Sequence, residues 1–159
     1  MPGTMRNRQT SRGFTLVEVL IALVVLAVGM LGVAALLLNG LQSSRIALLR
    51  TQAVMLAGDI GDRIRANRTG GASYALASGT TLSAPGKACT TAGQCNASEI
   101  AAVDLYAWQQ SVVTSLPGAT TTIAVAPVGA LSSNTYTITI SWTQSGDSSA
   151  ATLTLTVQV

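Results

Sequence analysis

Few side chains in this sequence are of a type and spacing that could do chemistry. The chain has 159 residues and no histidine, so the imidazole base of a Ser-His or Cys-His pair is missing. No glycine-rich phosphate loop follows a strand pattern. The carboxylates Glu18, Asp59, Asp62, Glu99, Asp104 and Asp147 are scattered along helical patterns and a turn. The chain therefore reads as a non-enzymatic protein without cofactor, metal site or small-molecule substrate. Two features remain: a close pair of cysteines, Cys89 and Cys95, and a lone carboxylate, Glu18, at the lip of a long apolar run.

The run sets the frame for Glu18. Val19 to Leu38 is twenty residues without a charge, which as a helix spans roughly 30 Å, the thickness of a bilayer's hydrocarbon core. The next charge is Arg45, so the helix is expected to leave the membrane without stopping. A carboxylate held at depth costs about 2 to 3 kcal/mol and marks a functional residue, whereas one at headgroup level costs little. Both readings of Glu18 follow from the pattern.

The net charge of +3 resides in Arg6, Arg8 and Arg12; beyond them Arg45, Arg50, Arg63, Arg65, Arg68 and Lys87 balance the six carboxylates. That argues against a nucleic-acid surface, which calls for a basic patch. It places the N-terminus in the cytoplasm and the remainder across the membrane. An ordinary secretory signal would have a shorter apolar region and a small-residue cleavage site; here the run passes into an amphipathic pattern.

The string Arg12-Gly13-Phe14-Thr15-Leu16-Val17-Glu18, with a basic leader before it and a full span after it, resembles the type IV prepilin signature. The resemblance implies cleavage after Gly13 by prepilin peptidase, N-methylation of the new terminal Phe14, and an assembly role for Glu18, fifth in the mature chain, paired with the amine at Phe14. It further implies the lollipop-like α+β fold of type IV pilins, divided into a leader (1–13), a transmembrane helix (14–45) and a periplasmic head (46–159). The implied location is the bacterial inner membrane, single-pass, and then the pilus. The implied partners are the peptidase, other major and minor pilins and the pilus assembly machinery.

Within the head, Ile46, Leu49, Ala53, Leu56, Ile60 and Ile64 recur at three- and four-residue steps and predict a continuous helix from Phe14 to about Asn67 with one apolar stripe. Asp59 with Arg63, and Asp62 with Arg65, support its exposed side, and Gly70-Gly71 ends it. Gly29, Gly32, Gly58 and Gly61 each weaken it by about 1 kcal/mol; they suit close packing, and by the resemblance Gly29 and Gly32 also suit loosening on assembly. Ala72 to Gln94 reads as a loop. In an exported domain the isolated Cys89/Cys95 pair reads as a disulfide closing a small loop, with two free thiols as the other reading.

Asn96 with Glu99 forms a capping-box pattern before a helix carrying Ile100, Val103, Leu105, Ala107, Trp108, Val112 and Leu116, stopped by Pro117-Gly118. Trp108 reads as a core residue rather than a ligand contact. The string Asp104-Leu105-Tyr106-Ala107-Trp108, followed by Leu116-Pro117-Gly118, is similar to the type IV pilus modification (PilV-like) minor pilin family. Beyond it the period changes to two: a strand over Thr120 to Val125, then Tyr136-Ile138-Ile140-Trp142 and Leu153-Leu155-Val157-Val159, with a turn over Gln144 to Ser149. The result is an α+β fold in which the apolar face of an antiparallel meander lies on the N-terminal helix.

The function implied is that of a minor pilin that primes or modifies a type IV pilus. A minor pseudopilin of a type II secretion system shares the same N-terminus and fold; an adhesive or DNA-uptake subunit is the reading from a different class.

Overall fold

A computed structural model describes residues 13–91, 93–127, 133–144 and 149–159. The basic leader and the greater part of the expected 144–149 turn lie outside these residues. Two compact units divide the chain, residues 1–41 and 42–159.

Helix α1 runs Leu16–Ala66. It begins where Thr15 accepts the Glu18 amide on its carbonyl at 3.1 Å and on Oγ1 at 3.4 Å, a threonine N-cap. Within the first unit every residue from Gly13 onward is exposed, and the window apolar enough to cross a membrane is wholly unburied. Within the second unit the expected stripe turns inward: Ala53, Ile60 and Ile64 are fully buried, joined by Ala57, with Leu49 and Leu56 packed at the margin of the core.

The α-helix stops at Ala66, short of the glycine pair. Gly70 and Gly71 belong instead to 3-10 turns over Arg68–Tyr74, inside the segment partly expected to be loop. They are needed there for steric reasons. A Cβ on Gly70 would come within 2.8 Å of the Tyr74 ring and of the Asn67 amide, and Gly71 has φ +48°, a conformation that favours glycine. The next residues also depart from a plain loop, because Leu76 forms a bridge with Ile123 of the sheet.

Helix α2, Ala97–Ser115, starts on the expected capping box: Asn96 Oδ1 accepts the Glu99 amide at 2.9 Å and Glu99 Oε2 accepts the Asn96 amide at 2.8 Å. Its buried line is Ala101, Leu105, Trp108, Gln109 and Val112; Ile100, Val103 and Ala107 are half-buried flanks. Pro117 and Gly118, the latter at φ +60°, turn the chain into the sheet.

Strands β1 (Thr120–Pro127), β2 (Asn134–Trp142) and β3 (Ala151–Gln158) form an antiparallel sheet in the order β1-β2-β3. The period of two separates its faces. Ile123, Tyr136, Ile138, Ile140, Trp142 and Val157 are buried together with Thr121, while the threonines of β2 and β3 occupy the other face. The apolar face shares one core with α1 and α2. A Cβ built on Gly61 of α1 would lie 3.3 Å from Val157 Cγ2 of β3. Gly61 therefore permits the helix to sit close on the sheet, while Gly58, with open space around it, has no such role.

Candidate processing and assembly site

The residues singled out by their chemistry fall into two groups, one in each unit. Gly13 and Phe14 precede the helix, with Phe14 among the most exposed apolar residues at 81%. Gly13 has nothing within 4 Å of where a Cβ would stand. Both residues of the junction are exposed.

Glu18 lies just beyond them in the first turn of α1, where the helix brings positions 18, 22 and 26 onto one side. Phe14, Glu18, Val19, Ala22, Leu23 and Leu26 line a shallow groove of about 370 Å³. The carboxylate is the sole charge in this groove, and among the described residues no cation pairs with it. Its position in the first helical turn, above the Thr15 cap, places its negative charge near the positive end of the helix dipole. A carboxylate in such apolar surroundings calls for a cationic partner once water is withdrawn. Thr15 was not singled out from sequence, although Thr-x-x-Glu before an apolar run is a recognisable start signal.

In the second unit Cys89 and Cys95 are bonded, with Cα atoms 5.6 Å apart. The disulfide leads directly into the Asn96 cap. A shallow cleft of about 290 Å³ between this loop and α2 is lined by Ile100, Val103 and Asp104 together with the bridge.

The expected pairs Arg63–Asp59 (3.0 Å) and Arg65–Asp62 (2.7 Å) are present. Arg63 does more than the spacing foretold, because its Nη1 also donates to Asp104 of α2 at 3.1 Å. The other Asp104 oxygen accepts the Tyr74 hydroxyl at 2.7 Å, and Asn67 Nδ2 donates to Tyr74 Oη at 3.2 Å and to the Ala97 carbonyl at 2.8 Å. Burial, and then the Asp104 carboxylate, hold the Tyr74 hydroxyl protonated well above the ordinary phenol range. Gln109 is a second unforeseen node. Its Oε1 accepts the Leu82 amide at 2.8 Å, and its Nε2 donates to Thr80 O at 2.7 Å and Thr121 Oγ1 at 3.2 Å. Both networks satisfy buried polar groups and pin otherwise irregular chain to α2.

A glycine-phenylalanine junction, a capped apolar helix with one carboxylate in its first turn, and an α+β head with a three-stranded antiparallel sheet together define the pilin-like class of membrane-anchored subunits. Residues 8–34 match the prokaryotic N-terminal methylation motif, and residues 35–106 match the Tt1218-like family, described as type IV pilin Tt1218. The chain is a type IV prepilin. No curated protein and no solved structure matched it.

Proposed function

We propose that the chain is a minor pilin of a type IV pilus, with a leader over 1–13, a transmembrane helix over 14–45 and a periplasmic head over 46–159. Prepilin peptidase cleaves after Gly13 and N-methylates Phe14. The mature subunit waits in the inner membrane and enters the fibre by bundling its helix with those of other pilins, priming or modifying the polymer.

The observation that carries this reading is the fully exposed apolar surface of α1 directly behind the Gly13–Phe14 junction. Such a surface leaves lipid only if other apolar helices take the place of the acyl chains. Cleavage removes Arg6, Arg8 and Arg12, charges that resist burial, and creates an amine that Glu18 can meet. The α2 string Asp104 to Trp108 supports the modification-type minor pilins within the family.

The test is N-terminal mass spectrometry on protein from the inner membrane and from sheared fibres. The expected result is an N-methylated Phe14 in both, with the subunit substoichiometric in the fibre. A start near Ala34 or Ala35 points to an ordinary secretory signal and overturns the reading.

A further inference from the structure

The two edges of the sheet are treated differently. The outer edge of β1 is occupied at its centre, where Leu76 and Ile123 exchange both backbone hydrogen bonds at 2.9 Å, and the strand closes on Pro127. Among the described residues β3 pairs with β2 alone.

The ladder fixes which groups that edge presents. Asn134 and Val159 exchange reciprocal bonds of 2.8 and 3.0 Å, and bonded and non-bonded pairs alternate along an antiparallel ladder. Val157, Leu155 and Leu153 therefore turn their backbone groups toward β2. Thr152, Thr154, Thr156 and Gln158 turn theirs outward.

Exposed edges are ordinarily blunted by charges, prolines or bulges. Ala151–Gln158 contains no charge and no proline, and its register with β2 runs without a break. The apolar layer beneath it is also incomplete. Leu153 and Leu155 are half-buried, whereas Ile140 and Ile138 opposite them are fully buried.

We propose that the β3 edge receives a fourth strand from a neighbouring subunit of the assembled fibre. The fitting segment is extended and uncharged, with apolar side chains at alternate positions to cover Leu153 and Leu155 and small or hydroxylated ones on the threonine face. Its main chain bonds the outward groups of Thr152, Thr154, Thr156 and Gln158, the β-augmentation mode of recognition. A fibre supplies such a segment at high effective concentration, because neighbouring heads are held together by their helices. The inference rests on the fibre-subunit reading above.

Amide hydrogen exchange on the mature full-length protein, extracted from membranes in detergent and in sheared fibres, tests it. The Thr154 and Thr156 amides are expected to exchange at least ten-fold more slowly in fibres, with Leu153 and Leu155 slow in both. Equal rates in the two samples overturn the proposal. So does protection that appears in the extracted protein as its concentration rises, which means self-pairing of β3.

Thr154→Pro removes an outward N–H that the head does not use. It is expected to leave the melting temperature within a few degrees and to lower the fibre-to-membrane ratio about ten-fold, with Thr154→Ala at the wild-type ratio. If the proline variant melts, Thr154→Lys, which guards the edge and keeps the backbone, is read instead. Normal incorporation of either folded variant overturns the proposal. Wild-type protein absent from fibres overturns the fibre-subunit reading as well; wild-type protein present there with an unprotected edge overturns this inference alone.

Discussion

The indole N–H of Trp108 donates to the main-chain carbonyl of Leu56 at 2.8 Å, so α2 is tied to α1 through a bond that enters the side of a helix. The carbonyl already takes part in its own helical ladder, and the indole uses its second lone pair. The other buried tryptophan, Trp142, has no hydrogen-bond partner for its Nε1 among the described residues.

The two tryptophans should therefore respond differently to the same change. Trp108→Phe loses packing and a made hydrogen bond and is expected to cost about 2 to 3 kcal/mol. Trp142→Phe loses similar packing but also removes an unsatisfied donor, so its expected cost is about 1 kcal/mol or less. Denaturant midpoints of the two variants in the purified mature protein check this. Equal destabilisation would mean that the Leu56 bond contributes nothing.

The Arg63–Asp104–Tyr74 cluster supplies a second prediction. Asp104 is the more buried partner, its side chain 17% exposed against 37% for Arg63. Arg63 keeps Asp59 and partial hydration when Asp104 is lost, so Asp104→Asn is expected to cost about 1 to 2 kcal/mol rather than the larger penalty of a fully buried broken pair. In a double-mutant cycle with Tyr74→Phe the two changes should be less than additive, because one removes and the other takes the charge from the same 2.7 Å hydrogen bond. Strict additivity would show that the bond carries no coupling.

The elements and the cluster were not equally legible in the sequence. Local signals carried the N-terminal motif, the α1 stripe, the Asn96–Glu99 cap and the alternation in β2 and β3, since each depends on residues a few positions apart. Tyr74 with Asp104, and Gln109 with Leu82, join positions 30 and 27 residues apart, and no periodicity announces such meetings. Gln109 did leave a trace: it lies four residues beyond Leu105 on the buried line of α2, where an apolar residue is the ordinary choice. The helix end at Ala66 agrees with the stop expected near Asn67, but the further duties of the glycine pair depend on the fold around it: Gly70 leaves room for the Tyr74 ring, and Gly71 takes φ +48° inside the 3-10 turns.

Glu99 predicts the acid response of α2. The Asn96 backbone amide, and then Lys87, lower its pKa below the ordinary glutamate value. A carboxyl depressed in the folded state contributes stability above its unfolded pKa, and that contribution is lost as pH falls through the folded value. The first turn of α2 should accordingly keep its protection at neutral pH and fray below the ordinary glutamate range. Glu99→Gln should fray less steeply over that interval, since it cannot titrate. Exchange rates of the amides after Ala97, followed with pH, read this out; identical profiles for the two proteins would assign the acid response to another group.

The last prediction concerns Glu18, whose structure offers two roles. As the third residue of a helix capped by Thr15 it supports the first turn, a contribution of about 0.3 to 1 kcal/mol at an exposed helix start. As the partner of the amine at Phe14 in a dry helical bundle, it offsets a buried positive charge, and its loss costs about 3 to 5 kcal/mol. The roles separate in three variants. Thr15→Val weakens the cap and keeps the carboxylate. Glu18→Gln keeps the shape and loses the charge, and Glu18→Ala loses both. If charge pairing governs assembly, both Glu18 variants should still be inserted and cleaved, because Gly13 and the span are intact, yet their fibre-to-membrane ratio should fall at least ten-fold. Thr15→Val should stay near the wild-type ratio. A Glu18→Gln ratio equal to wild type, with Thr15→Val lowered, would reverse the assignment and leave Glu18 a helix-start residue.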